Sequence, residues 1–250
     1  EAIINFVAFL GWNPGSGEEN EIFSLSELEQ AFSIEKVHKA GAIFNIEKLN
    51  WFNWRWKKRL FNTELEKAAK EIDPQVTIAE ARKDQLTYTF STPELDHKFL
   101  ETRGKKLLQM CNNLLPKEYS NDEEKLLKAL ITIEEKILKD PKETPAHLNF
   151  YFSLPDYPKE LLTHQKMGVD LNQAAASLKA GKEDLEKLDD WNLQTLQETL
   201  INTVAKLGVK NGQLFWPLRS AMSGLEFSPG VFELAWVLGK EEALRRIEMS

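Results

Sequence analysis

An all-α fold is what this 250-residue sequence predicts, and three observations carry the prediction. Apolar residues recur at three- and four-residue spacing, as in Leu126, Leu127, Leu130, Ile133 and Ile137, and again in Leu214, Leu218, Ala221 and Met222. That is the pattern of helices that bury one face. Helix starts and stops bracket such stripes, with capping pairs ahead of them (Ser24 with Glu27, Ser120 with Glu123) and glycines behind (Gly208, Gly224, Gly239). The composition, 42% hydrophobic and 28% charged, is that of an ordinary globular chain large enough to bury a core without covalent staples.

Taken in order, residues 2–10 read as the end of an apolar helix, broken by Gly11-Trp12-Asn13-Pro14-Gly15. A chain that begins inside an apolar helix pattern, without methionine, reads as part of a longer protein. The capping pair Ser24 and Glu27 opens a short helix to residue 32, and Ser33 is placed to cap another over 33–38. Residues 45–60 are helical and rich in tryptophan (Trp51, Trp54, Trp56), followed by helices over 63–72 and 74–85. Thr92-Pro93-Glu94 opens a long helix through residue 110, where Gly104 costs about 1 kcal/mol against alanine and marks a possible kink. Ser120 and Glu123 begin a helix to about residue 139. The interval 141–158 holds four prolines (Pro141, Pro145, Pro155, Pro158) and the aromatic run Phe150-Tyr151-Phe152, which makes it a candidate domain boundary. Helices then follow over 159–165, 170–180, 182–187, 191–207 (capped by Asp190), 210–223, 229–238 and 240–248. There is no repeat and no low-complexity tract.

Several kinds of chemistry are excluded or left without support. A single cysteine, Cys111, rules out an internal disulfide and a cysteine-based zinc site. The four histidines, His38, His97, His147 and His164, have no second ligand at i+3 or i+4. No phosphate-binding loop, dinucleotide fingerprint or nucleophile elbow is present. No apolar run is long enough to span a membrane, and no signal peptide is visible. The net charge of −7 argues against bulk attraction to nucleic acid, so any such role needs a local basic face.

Three cationic places are candidates for that face. Arg55, Lys57, Lys58 and Arg59 are interleaved with tryptophan and fit a patch that follows a nucleic-acid backbone. The competing reading is a solvated helix face with its indoles in the core. Arg103, Lys105 and Lys106 form a second basic run. The third place is Arg219, at the edge of the stripe Leu214, Leu218, Ala221 and Met222. Gly224 ends that helix, and Ser228-Pro229-Gly230 then has the form of an N-cap, a first-turn proline and a residue with no side chain to shield the backbone. An uncovered helix tip with free N–H groups next to an arginine suits phosphate or nucleobase edges.

The wording of this segment closely resembles the C-terminal end of bacterial-type glutamyl-tRNA synthetases. The resemblance is carried by Pro217-Leu218-Arg219, Ala221, Gly224, Ser228-Pro229-Gly230, Phe232-Glu233, Leu238-Gly239-Lys240 and Arg245-Arg246-Ile247. Asn5-Phe6, Leu10 to Pro14, Phe32 to Val37, Ala42-Ile43-Phe44 and Glu47 to Asn53 independently resemble the stem-contact segment of the same family. One departure is Trp54-Arg55-Trp56-Lys57-Lys58-Arg59, where the family usually has a small residue, a polar or aromatic one, then Tyr-Ile-Arg.

The resemblance implies a helical stem-contact segment over 1–62 and two helical anticodon-binding subdomains over 63–154 and 155–250. It implies that Arg219, Ser228, Pro229, Gly230, Val231 and Phe232 contact the anticodon loop of tRNA(Glu). By a looser match, it implies the same of Lys136, which would keep the charge of an arginine without its planar fork. The basic runs would then meet the inner face of the tRNA. The family ligates glutamate to tRNA with ATP and magnesium, but its ATP-cradling signatures are absent here. The chain is therefore expected to bind without catalysing and to hold no cofactor, as a cytoplasmic monomer with no affinity for membrane or DNA. The alternative is a helical protein–protein scaffold that docks through exposed aromatics such as Phe215 and Trp216.

Overall fold

The computed structural model describes residues 1–15, 20–38, 43–82 and 85–250. Among them are eleven α-helices and one two-stranded hairpin, so the predicted all-α class holds apart from that hairpin. The chain divides into two compact units, Glu1–Phe99 and Leu100–Ser250. Ala42, one of the residues that carry the resemblance, lies outside the described residues.

In the first unit, α1 (Ala2–Phe9) packs on α3 (Ile46–Ile72), and Leu28 of α2 (Leu25–Ala31) packs with Trp12 and Phe23. The buried Asn5 amide pairs with the Phe23 backbone in both directions, donating to its carbonyl at 2.5 Å and accepting from its N–H at 2.7 Å. This pins α1 to the segment that leads into α2. Phe6, Ile22, Phe52 and Trp56 form one core cluster, and Trp12, Phe23 and Leu28 form another. The capping box at α2 is present as predicted: Ser24 Oγ accepts from Glu27 N, and the Glu27 carboxylate accepts from Ser24 N. The 33–38 helix shortens to one 3-10 turn, Ile34–Lys36, because the Ser33 hydroxyl binds the Glu35 carboxylate instead of capping.

The helices expected over 45–60 and 63–72 are one helix of 27 residues, α3, capped by Asn45. Thr63 does not start a new helix; its hydroxyl donates to the Arg59 carbonyl one turn back. The helix expected over 74–85 is instead β1 (Thr77–Arg82), antiparallel to β2 (Gln85–Thr89), with Ile78 opposite Tyr88 and Ala79 opposite Thr87. Threonine, isoleucine and tyrosine at these positions favour a pleated surface. Asp73 ties off the base of the hairpin, accepting from Gln75 N and from both the N–H and the hydroxyl of Ser91. These hydrogen bonds, those of Ser91 foremost, hold its carboxyl below the usual carboxylate range.

The division between units falls within α4 (Pro93–Cys111). Gly104 does not kink this helix. A β-carbon there would stand 2.7 Å from Leu127 Cβ, so glycine allows the close approach of α5 (Glu123–Thr132). Asp122, rather than Ser120, caps α5 through Lys125 N. The helix expected to run to residue 139 stops at Ile133, outside helical geometry at φ −115°, and resumes as α6 (Glu134–Lys139). Its predicted stripe is buried throughout. α7 (Thr144–Phe152) occupies the proline-rich interval, inside the second unit.

Two 3-10 turns, Lys159–Leu162 and Gln165–Met167, stand where a helix over 159–165 was expected. Four helices follow, α8 (Leu171–Glu186), α9 (Leu193–Leu207), α10 (Asn211–Ser223) and α11 (Val231–Glu248), and they pack on one another. α8 is continuous through Gly181, whose missing side chain admits Leu218 of α10. Asn192, not Asp190, caps α9. The glycine stops behave as predicted: Gly208, Gly224 and Gly239 all have positive φ, and α11 bends at Gly239.

Arg246 sits inside this second unit at 1% exposure. Its guanidinium donates to the carbonyls of Phe150, Met222 and Tyr151 at 2.7–3.0 Å, and its Nε to Glu242 at 2.6 Å. One buried side chain thereby satisfies terminal carbonyls of both α7 and α10.

Candidate nucleic-acid interface

The loop between α10 and α11 is built around Arg219. Its stripe neighbours Leu214, Leu218, Ala221 and Met222 are fully buried, which leaves Arg219 at the edge of the packed face, as the spacing requires. Gly224, at φ 66°, turns the chain against Pro155; a β-carbon there would meet the proline ring at 2.7 Å. Ser223 Oγ donates to Arg219 O at 2.8 Å and accepts from Leu225 N at 3.2 Å. Arg219 then reaches across the loop: Nη2 donates to Glu226 O at 2.7 Å and Nη1 to Ser228 Oγ at 2.8 Å. The guanidinium also stands 4.5 Å from the centre of the Trp216 ring. Its half-buried position pushes its pKa below the ordinary arginine value, while the Glu226 charge acts the other way.

The structure changes the predicted helix start. Ser228 is not the N-cap; its hydroxyl accepts from Arg219 and donates to Pro229 O. The helix begins two residues later, with Gly230 as N-cap and Val231 as first residue. The tip is also not bare. Glu233 in the first turn folds its carboxylate over Gly230, occupying the space a β-carbon would fill. That carboxylate complements the helix dipole from within the chain. From 211 to 233 the sequence has one cation, Arg219, and two acids, Glu226 and Glu233. The notch is therefore a polar loop fastened by hydrogen bonds, with more acids than cations in this stretch. Val231 is buried, whereas Phe232 is half-buried with its ring edge-on to Phe215 at 5.2 Å.

The aromatics proposed for a protein-docking face are largely committed. Trp216 Nε1 donates to Leu161 O at 3.0 Å and its ring packs against His164; Phe215 packs on Phe232. Neither is exposed. The exposed aromatic of this region is Phe227, at 84%, a residue that no helical stripe singles out. A phenylalanine between Glu226 and Ser228-Pro229, off any helical stripe, was the available signal.

The basic run on α3 is dispersed, since successive helical residues point about 100° apart. Lys58 is buried at 6% exposure. Arg59 makes a two-pronged pair with Glu27, both contacts at 3.1 Å, and lies over Trp56. These hydrogen bonds, chiefly that of Arg59, lower the Glu27 carboxyl to about 2. Arg55 lies beside Trp51 and Trp54, and Lys57 is exposed. On α4, Arg103 is paired with the buried Glu134 at 2.7 Å, Lys105 with Glu101, and Lys106 is half-buried. Lys136 is exposed on α6. The α3 run belongs to the first unit, and the α4 run, Lys136 and Arg219 belong to the second.

Among the described residues, no group of three or more His, Cys, Asp and Glu could hold a metal ion, and no helix is long and apolar enough to cross a membrane. Cys111 is buried, donates to Leu107 O, and has its thiol pushed up to about 11 by burial.

Comparison with known proteins gives this arrangement its context. Residues 106–250 match the family described as "Anticodon binding domain". All 250 residues are 33% identical to the glutamate–tRNA ligase of Clostridium acetobutylicum and to that of Clostridium botulinum strain Loch Maree, covering 42% of each. The chain thus spans about two-fifths of the length of these relatives. The solved glutamate–tRNA ligase of Elizabethkingia meningosepticum, in complex with its amino acid, superposes with a TM-score of 0.56 at 26% identity over 100% of this chain and 40% of that one. The structure from Elizabethkingia anophelis gives the same values. With the family match running from α4 to the end of α11, and with the α10–α11 loop inside it, this chain belongs to the anticodon-binding domain family, in the form found in glutamate–tRNA ligases.

Proposed function

We propose that the chain is the tRNA-recognising part of an ATP-dependent glutamate–tRNA ligase, and that the α10–α11 loop receives the anticodon of tRNA(Glu). The observation that carries this reading is the clamped loop from Arg219 to Phe232 lying within the matched domain. Bases splayed from an RNA loop are read by hydrogen bonds to their edges and by packing on apolar or aromatic groups. Ser228, Pro229, Gly230 and Phe232 line that loop, and Arg219 sets its shape. Lys136 and Lys57 have the exposure needed to meet phosphates on the inner face of the tRNA, and Lys105 has it while paired with Glu101. Arg55, Arg59, Arg103 and Lys106 would act there only along with their present contacts, and Lys58 only by leaving the interior.

In this reading residues 1–62 contact the stem, and 63–154 and 155–250 form the two anticodon-side subdomains. ATP and magnesium are handled by the portion of the ligase beyond this chain, in the cytoplasm, by a monomer with no affinity for DNA. The apolar residues that the first unit exposes, Ile3 at 67%, Val7 at 59% and Ile43 at 84%, suit packing against that portion.

The test is binding of the tRNA(Glu) anticodon stem-loop at moderate salt. Arg219→Ala is expected to weaken it by about 1–3 kcal/mol. Undiminished affinity in a folded variant removes the loop from the interface. Full-length tRNA should show a steep loss of affinity with salt, because released counterions drive phosphate contacts.

A further inference from the structure

Phe227 is the most exposed large hydrophobic side chain among the described residues of the second unit, at 84%. Its surroundings distinguish it from an ordinary surface phenylalanine. The residues on either side are both held by one guanidinium: Arg219 binds the Glu226 carbonyl at 2.7 Å and the Ser228 hydroxyl at 2.8 Å. Upstream, Gly224 N donates to Ser220 O and Leu225 N to Ser223 Oγ. Downstream, Pro229 has a fixed φ, and the Ser228 hydroxyl donates to its carbonyl. The loop backbone is thus fastened before and after a ring that projects into water. A flexible loop could fold such a ring onto the apolar surface, whereas this one holds it out.

The charges nearby favour an uncharged face as the binding element. Glu226 and Glu233 outnumber Arg219 between 211 and 233, so attraction of phosphates at this spot is weak. An aromatic face binds a nucleobase without needing net positive charge, and every base offers a π-face. A ring held in place loses little freedom on binding.

Resting on the reading that this loop meets an anticodon, we propose that Phe227 is a stacking platform for one unpaired base of the RNA loop. Arg219 acts as its positioning residue, through the two contacts that bracket it, rather than by reading a base edge.

The experiment uses the 250-residue chain and a synthetic tRNA(Glu) anticodon stem-loop carrying 2-aminopurine at each loop position in turn. Phe227→Ala should lower affinity about 5- to 150-fold and abolish the fluorescence quenching of one 2-aminopurine position. Phe227→Tyr should retain both the affinity and the quenching. Arg219→Lys, which keeps the charge and loses the fork, should reduce quenching at that same position. Melting temperatures of the Phe227 variants should match the parent, since the ring is exposed.

If Phe227→Ala binds as the parent does while Arg219→Ala is weakened, stacking is overturned and the loop remains the anticodon site. If neither variant loses affinity, both readings fall. If Phe227→Leu matches the parent in affinity and quenching, the contact is merely apolar and the stacking proposal fails.

Discussion

The first unit and the second each fix chain segments with an arginine, in contrasting ways, and the second also carries ion pairs at Arg103 and Arg245. In the first, Arg59 lies on the surface and grips the carboxylate of Glu27, holding α2 against α3 through an ion pair about 40% exposed on either side. In the second, Arg246 lies inside and grips the backbone carbonyls of Phe150, Tyr151 and Met222, while Arg219 grips the carbonyl of Glu226. A surface ion pair is screened by salt and contributes little. A guanidinium that satisfies buried carbonyls cannot be replaced by water, so its loss leaves acceptors unpaired. The first kind of arginine adjusts a surface, and the second kind defines where chain segments end and turn.

Removing the internal clamp tests this contrast most severely. Arg246→Ala should destabilise the chain by about 3–5 kcal/mol, read as a lower midpoint in urea unfolding. It strips partners from the ends of α7 and α10 and from Glu242 at once. A loss under 1 kcal/mol would mean that water satisfies those carbonyls, and the contrast would disappear.

A smaller effect, dependent on pH, should follow Glu242. Its carboxyl is lowered from 4.5 to about 2, by the Arg245 hydrogen bond first and the Arg246 contact after it, against the opposing effect of burial. A carboxyl depressed on folding contributes stability above its unfolded pKa and loses it as pH falls through its folded value. Stability should therefore decline from about pH 4.5 toward pH 2, and Glu242→Gln should flatten part of that slope. An unchanged slope would place the acid sensitivity elsewhere, for example at Glu27, which is also lowered to about 2.

The smallest effect belongs to the surface pair. Arg59→Ala should cost about 0.2–1 kcal/mol at low salt and less at high salt. If its cost were independent of salt, the packing of its stem on Trp56 and its contact with Ile22 O would be the dominant contributions, and the two units would be more alike than they look.

The sequence gives a clear reading of elements whose determinants are local. The Ser24–Glu27 box, the stripes on α5 and α10 and the left-handed stops at Gly208, Gly224 and Gly239 depend on residues within a few positions of one another. The sequence points to helix over 74–85, whereas the hairpin over 77–89 is closed by Asp73 meeting Ser91, 18 positions away. Gly104 and Gly181 looked like interruptions because the residues that require their smallness, Leu127 and Leu218, come from other helices.

The candidate site shows the same division. That a loop with Arg219, Gly224 and Ser228-Pro229-Gly230 joins two helices follows from the sequence alone, because turn and cap preferences are set by each residue's own backbone. That Arg219 faces a hydroxyl and a carbonyl, that Glu233 covers the helix tip, and that Phe227 is left in water were decided by folding. Periodicity states which face of a helix is apolar, but not which distant atom a long charged side chain will reach. For a flexible guanidinium that choice is made by geometry, after the helices have packed.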